Sequence, residues 1–373
     1  MKKNPLISVL CSSFNHEKYV GYFINSLLKQ TYTNWELIII DDCSTDGNVR
    51  EIKKFTDERI HFYQQEFNGG QGVVTPRAFS LSKGDIIVDC ASDDALREDY
   101  FSKIVEVFSE KENVGVIYSS LQIIDYENNP NGHWDLPDLD RTALLNHMFY
   151  KGNCLFSPGF AIRREFYKLL LPFNFAIIQH QDYQWHIKLL LNTDCELLKD
   201  YYVYYRFQNE ESVSLSGMNI GGENRYRLEE DYLMNTFLQV KDCRLTEKIL
   251  GLEENKIPNK DLIPYFFATE ILKSENLEKR QWGYRTLISF FDDTKNLDRL
   301  RKYNGIQFKD ILAISKNNFY DQTAMNEKLS IYEDFVHAPF FKQFKMCLSF
   351  LAHRFGRKIH NVFSKNKKER YGL

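Results

Sequence analysis

The feature that most constrains this chain is how its first hundred residues end their apolar runs. Residues 6–12, 35–41 and 85–89 are short apolar runs. Each leads into polar residues: Ser12-Ser13-Phe14, Asp41-Asp42 and Ser92-Asp93-Asp94. Residues 60–64 form another run of strand length. Helical signals lie between them. Tyr19, Val20, Phe23, Ile24, Leu27 and Leu28 recur at helical spacing after Asn15-His16-Glu17, and a second helix is predicted from Gly69-Gly70-Gln71-Gly72 to about Ser82. Strands separated by helices of this length imply βαβ units, hence an α/β fold with a mainly parallel sheet flanked by helices. In such sheets ligands bind beyond the carboxyl ends of the strands. Three strand ends therefore carry polar groups to one rim.

Further along, residues 100–108 read as helix, 114–124 as one or two strands, 183–191 as helix and 201–206 as an aromatic strand. Residues 209–222 are polar and read as a loop. Beyond them the pattern is helical, with candidates at 225–240, 262–272 and 282–291. A length of 373 residues suits two domains. The expected division is an α/β domain over 1–220, a helical domain over 221–335 and a basic amphipathic tail over 336–373.

The net charge of −3 gives no global field for nucleic acid, but its distribution is uneven. From residue 340 onward, Lys342, Lys345, Arg354, Arg357, Lys358, Lys365, Lys367, Lys368 and Arg370 face a single acid, Glu369. Seven scattered cysteines without a C-x-x-C pair fit reduced thiols in a cytoplasmic protein. The polar N-terminus predicts no signal peptide, and no apolar run reaches the ~18 residues of a membrane span.

The residues at the rim fall into a known order. Residues 7–15, Gln30-Thr31-Tyr32 and residues 36–46 are followed by Asn68-Gly69-Gly70, Arg77, Lys83-Gly84-Asp85 and Ser92-Asp93-Asp94. Later come residues 181–185, Tyr204-Tyr205-Arg206 and Ser212-Val213-Ser214. Over roughly residues 5–215 this resembles family 2 glycosyltransferases of the bacterial surface-polysaccharide type. The resemblance implies a GT-A fold, a nucleoside-diphosphate sugar donor such as a UDP-sugar, Mn²⁺ or Mg²⁺, and inversion at the anomeric carbon. It also implies roles. Phe14 would lie against the nucleobase near Ser12, Asp42 would hydrogen-bond the base, and Arg77 would lie near base or diphosphate. Asp93 would contact the ribose, Asp94 with Asp93 would hold the metal, and Asp182 would be the catalytic base. Two positions depart from the pattern. Ala91 stands where many members carry an acid, which throws more weight on Asp93-Asp94, and Ala78 replaces a common Asn after Arg77.

These residue types suit the chemistry. Glycosyl transfer leaves a diphosphate that gathers negative charge, and a divalent cation held by one or two carboxylates neutralises it. The acceptor hydroxyl is a poor nucleophile until a positioned carboxylate takes its proton, an effect of ~10²–10⁴ in rate. Each motif also has a plainer reading. Ser92-Asp93-Asp94 and Asp182 could be helix caps. Asp41 or Asp42 could satisfy turn amides. His180 would shape the pocket, and Gly69-Gly70 alone lacks the Lys-Ser/Thr of a P-loop.

In the tail, Phe340, Phe344, Leu348, Leu351, Phe355, Ile359 and Val362 recur at three- or four-residue steps among the basic residues. Such a helix can lie in a membrane interface or pack on the protein. The acceptor expected from the resemblance is a glycan or lipid-linked sugar, with the protein at the inner face of the cell membrane. The competing classes are a degenerate transferase that binds nucleotide sugar or glycan without turnover, and a sugar nucleotidyltransferase.

Overall fold

The computed structural model describes residues 3–174, 176–207 and 220–315. The loop expected over 209–222 falls almost wholly outside these residues, and the basic tail 336–373 falls outside them entirely. Residues 1–307 form one compact unit.

The first elements alternate as the apolar spacing predicts: β1 (Ile7–Ser13), α1 (Val20–Leu28), β2 (Trp35–Asp41), α2 (Asn48–Ile52), β3 (Ile60–Gln64), α3 (Gln71–Leu81) and β4 (Ile86–Asp89). β2 is buried at all seven positions and β1 at six. Strands covered on both faces read as continuous apolar runs rather than as alternations. α1 buries Val20, Phe23, Ile24 and Leu27, the stripe that its sequence spacing marks. Then follow β5 (Ala95–Leu96), α4 (Tyr100–Glu110), β6 (Val114–Ile124), β7 (Pro130–Trp134), α5 (Arg141–Tyr150), β8 (Ala161–Arg163), α6 (Arg164–Tyr167), α7 (Gln181–Asn192) and β9 (Asp194–Arg206).

All nine strands join one sheet in the order β3-β2-β1-β4-β8-β6-β9-β5, with β7 on β6. The pairs β3–β2, β2–β1, β1–β4 and β6–β9 are parallel. The three-residue strand β8 runs antiparallel between β4 and β6, so the sheet is mixed rather than parallel throughout. Two reversals restore the direction, so β6 and β9 point the same way as β1 to β4. Ser13, Asp41, Gln64, Asp89, Ile124 and Arg206 therefore end on one rim.

The opposite end of the sheet explains another stretch of the quoted pattern. The buried Ser8 hydroxyl donates to Glu36 Oε1 at 2.5 Å and accepts from the Gly84 amide at 2.6 Å. Glu36 Oε1 also accepts from the Lys83 amide at 2.6 Å. A side chain at Gly84 would place its Cβ 2.5 Å from the Ser8 nitrogen and 2.7 Å from the Leu6 carbonyl oxygen. Lys83-Gly84-Asp85 thus locks β4 against β1 at the end away from the rim.

Helices α8 (Ile220–Leu233), α9 (Cys243–Leu250), α10 (Ile263–Ile271), α11 (Leu277–Phe291) and α12 (Thr294–Asn304) complete this unit. The helix expected at 225–240 begins at Ile220 and tightens to a 3₁₀ turn over Met234–Gln239. Phe149 of α5 packs among the later helices, its ring 5.1 Å from both Phe237 and Phe267 and 6.2 Å from Trp282. Lys279, 1 % exposed, donates to the Phe149 carbonyl at 2.8 Å beside Glu230. Residues on both sides of the division expected near residue 220 lie within the one unit. α13 (Phe308–Ser315) belongs to a second unit that begins at Phe308.

Candidate active site

Strand order reverses at β1. The chain runs outward through β2 and β3, then returns to place β4 on β1's other side. A crevice opens at such a switch point, beyond the carboxyl ends of the strands. His16, just past β1, bridges it. Its Nδ1 is 2.8 Å from Ser92 Oγ and 3.7 Å from Asp93 Oδ1. Two non-glycine residues take left-handed backbone at this rim, Asn15 (φ 55°) and Cys43 (φ 63°). That region is uncommon outside glycine, although asparagine tolerates it. The Asn15 side chain accepts from the Thr45 amide at 2.8 Å, tying the loop after β1 to the loop after β2.

The two aspartates at the end of β2 divide their work. Asp41, fully buried, accepts from Asn48 Nδ2 at 2.8 Å and from the Ser44 amide at 3.0 Å, which is the turn role one of the pair was expected to take. Asp42 is 2 % exposed and accepts the Gly69 and Gly70 amides, one on each oxygen, both at 2.8 Å. It pins the glycine loop that starts α3 against the end of β2. Ser12 is half-buried near the end of β1, and Phe14 is 40 % exposed just beyond it. Arg77 projects from α3 to Gln65, past the end of β3, over the Tyr63 ring at 6.0 Å. Ser12, Phe14, Asp42 and Arg77 thus lie along the rim of β1, β2 and β3.

Ser92-Asp93-Asp94 caps no helix. The N-cap of α4 is Asp99, and Asp94 leads into β5 instead. β5 pairs with β9 so that Ala95 lies opposite Tyr204. This register presents the Arg206 amide to Asp94 Oδ1 at 3.0 Å, and Arg206 Nε donates to the Asp93 carbonyl at 2.9 Å. Burial pushes the Asp94 carboxyl well above the usual carboxylate range. The neighbouring Asp93 adds to this, and the Arg206 amide and guanidinium oppose it. Two adjacent carboxylates, one buried with its charge disfavoured, are a donor set that a divalent cation suits. Among the described residues no three His, Cys, Asp or Glu side chains converge to hold an ion alone. A cation here would complete its shell with substrate oxygens and water, as Mg²⁺ commonly does.

Asp182 sits in the first turn of α7, two residues past the N-cap His180. The helix N-terminus favours its negative charge. Its placement is fixed from two sides. Buried Glu229 of α8 accepts the amides of Ile178, Gln179 and His180 at 2.7–3.0 Å, ordering the approach to α7. His180 is buried, its Nε2 3.1 Å from the Tyr226 carbonyl oxygen. On the other side a polar chain runs inward. The Ser157 hydroxyl bonds the Asp182 carboxylate, Ser157 Oγ is 3.2 Å from His186 Nε2, and His186 Nδ1 is 3.1 Å from the Tyr118 hydroxyl. Burial depresses His186 to about 3, so the ring is neutral wherever the protein is folded near neutral pH. Desolvation raises Asp182 from its ordinary value, and the hydrogen bonds from Tyr183 and Ser157 hold it back.

Tyr205 joins the two acidic groups. Its hydroxyl is pushed to about 12, by burial first and then by the charges of Asp94, Asp93 and Asp182. The Tyr205 hydroxyl thus lies within the field of all three carboxylates, those after β4 and the one in the first turn of α7. The sequence singled out the acids and missed what holds them: His16, Ser157, His186 and Glu229. His186 carried a usable signal, lying one turn after Asp182 on the same helix. Ser157 and Glu229 carried none, since only folding brings them to α7.

Residues 8–171 match the family model described as glycosyl transferase family 2. Among similar proteins is a candidate teichuronic acid biosynthesis glycosyltransferase of Bacillus subtilis, 36% identical over 29% of this chain and 43% of its own length. Escherichia coli chondroitin synthase is 28% identical over 62% of this chain and 33% of its own. The E. coli enzyme named UDP-Glc:alpha-D-GlcNAc-diphosphoundecaprenol beta-1,3-glucosyltransferase WfgD is 26% identical over 56% of this chain and 78% of its own. The chain thus spans less than half of the first two relatives. The crystal structure of S. aureus TarS superposes with a TM-score of 0.51 at 21% identity, covering 77% of this chain and 48% of that one, a likeness of fold. Residues 8–171 thus match glycosyl transferase family 2, and the mixed sheet with its flanking helices is a fold of the GT-A kind.

Proposed function

We propose that the protein transfers a hexosyl unit from a nucleoside-diphosphate sugar to a hydroxyl of a glycan or lipid-linked acceptor, with inversion, in surface-polysaccharide assembly. The observation that carries this reading is the acidic rim itself: Asp94 and Asp93 held beyond β4 by Arg206 of β9, and Asp182 fixed in the first turn of α7, with Tyr205 of β9 in the field of all three. The donor lies along the ends of β1 to β3. Phe14 packs on its base beside Ser12, Asp42 and the glycine loop form the wall behind it, and Arg77 meets base or diphosphate. Asp93 reaches the ribose. Mn²⁺ or Mg²⁺ at Asp94 and Asp93 would neutralise charge on the leaving diphosphate.

Asp182 takes the proton of the acceptor hydroxyl as its oxygen attacks the anomeric carbon opposite the diphosphate. The new C–O bond forms as the bond to the diphosphate breaks, and configuration inverts. A raised carboxyl is a stronger base, which suits a group that must accept a proton near neutral pH. WfgD's name gives UDP-glucose as its donor and a diphosphoundecaprenol-linked sugar as its acceptor, which supports the same donor and acceptor classes here. No helix among the described residues is long and apolar enough to cross a membrane. A peripheral contact at the inner face of the membrane would fall to the basic tail.

Release of UDP from a panel of UDP-sugars with Mn²⁺ and mixed glycan acceptors tests the proposal. Release that depends on acceptor and is lost in Asp94→Asn supports it. Nucleotide binding without release from any donor favours a binding protein, the reading kept open by Ala91, and pyrophosphate release from a nucleoside triphosphate favours a nucleotidyltransferase.

A further inference from the structure

Trp134 ends β7, a strand exposed at all five positions. A large aromatic ring on such an edge normally turns inward, because its apolar faces gain most from burial. This one is 40 % exposed and nonetheless held in place by three other rings. Its centroid lies 5.8 Å from Phe156, 5.3 Å from Tyr205 and 5.7 Å from Phe207. The strand itself is fixed by Leu121 opposite Trp134 and by Gln122 Nε2 donating to the Gly132 carbonyl at 2.6 Å.

Two of those supporting rings lead to the proposed base. Tyr205 follows Tyr204, the partner of Ala95 in β5, and its hydroxyl lies in the field of Asp94, Asp93 and Asp182. Phe156 directly precedes Ser157, whose hydroxyl bonds Asp182. Two of the rings that brace the indole thus point back to the base: Phe156 is the chain neighbour of the serine that bonds Asp182, and the Tyr205 hydroxyl lies in the Asp182 field. The indole also lies on the β6 and β9 side of the sheet, while the donor residues lie on the β1, β2 and β3 side, with Asp93-Asp94 between them. An exposed, rigid indole face beside a proton-accepting carboxylate suits one kind of group, the apolar C–H face of a pyranose whose hydroxyl points at the carboxylate. An indole face carries partial negative charge, and the axial C–H bonds of a sugar present partial positive charge.

We infer that Trp134, braced by Phe156, Tyr205 and Phe207, is the stacking platform for the acceptor saccharide, holding its terminal pyranose with the reactive hydroxyl toward Asp182. The inference rests on the proposed transferase reading for the role of Asp182, but its test does not need turnover.

The experiment is saturation-transfer NMR on the full chain with methyl glycosides of glucose, galactose, N-acetylglucosamine, N-acetylgalactosamine and rhamnose, and separately with UDP-glucose. At least one glycoside should receive saturation at its ring C–H protons. The signal should fall about tenfold in Trp134→Ala, the size of a lost aromatic contact, and persist in Trp134→Phe. UDP binding, read by thermal shift, should be the same in all three proteins, which shows that the variants are folded. No saturation of any glycoside, or saturation unchanged in Trp134→Ala, overturns the platform. Loss of saturation at the glucose protons of UDP-glucose in Trp134→Ala also overturns it, because the ring would then serve the donor. Trp134-dependent glycoside binding in a protein that never releases UDP would leave the platform standing and refute the transferase reading instead.

Discussion

Replacing Asp42 with alanine should loosen the glycine loop even when no nucleotide is present. Each Asp42 oxygen accepts one amide at 2.8 Å, from Gly69 and from Gly70, and the carboxylate is 2 % exposed. A hydrogen bond to a charged group contributes ~1.5–3 kcal/mol. Two would give ~3–6 kcal/mol. The glycine amides are only half-buried, so water recovers part of that in the variant. The expected loss is therefore near the lower end, about 3 kcal/mol. If the donor needs the pinned loop, its affinity should fall by about a hundredfold. Asp42→Asn should recover little, because its amide NH₂ would face one of the two N–H donors across a short contact. The assay is urea unfolding of the unliganded protein, followed by UDP titration calorimetry of the same three proteins. Unliganded Asp42→Ala with wild-type stability would refute the reasoning and leave Asp42 as a nucleobase contact alone.

Three further outcomes follow from the geometry. Ser157→Ala removes a hydrogen bond that stabilises the Asp182 carboxylate, so the acid limb of the pH dependence of kcat/KM should move to higher pH, by under about one unit for a bond of ~1 kcal/mol; an unmoved limb contradicts the link. Asp89 is raised by burial to about 7, so the folded chain keeps a proton that the unfolded chain has lost, and stability falls as pH rises from about 4 to about 7. Asp89→Asn should be more stable than wild type at pH 8, by up to ~4 kcal/mol, and similar to it at pH 4, read by urea unfolding at both; a gap independent of pH is the contrary result. Gly84→Ala drives a methyl to 2.5 Å from the Ser8 backbone nitrogen and should destabilise by ~1–3 kcal/mol in thermal unfolding, whereas an unchanged midpoint would mean that β4 can shift freely on β1.

The parallel half of the fold was legible because its strands are buried on both faces and its helices carry one apolar stripe. Trp35–Asp41, buried at all seven positions, was bounded to the residue for that reason; Ile60–Gln64 is only half-buried and was bounded by its run of strand-forming residues alone. The middle of the chain was not. β8 has three residues, too short for any periodicity, and β7 is exposed throughout, so neither carries an apolar signal. Their pairing depends on partners distant in the chain. α5 shows no single apolar stripe in sequence because it is buried by helices on more than one side, α7 and the later helices. At the site, the acids stood out because charged residues directly after apolar runs are conspicuous. Their restraints did not, because Ser157 and Glu229 reach the start of α7 from 25 or more residues away in sequence. The ambiguity between Asp41 and Asp42 could be resolved only by seeing which amides each one meets.

The central claim is that Asp182 accepts the proton of an acceptor hydroxyl. The most direct measurement is acceptor-dependent UDP release by wild type and Asp182→Asn, with UDP affinity measured in parallel. Asn keeps the shape and cannot take the proton. The account predicts a fall of ~10²–10⁴ in kcat with UDP affinity unchanged. Undiminished release by Asp182→Asn would contradict it.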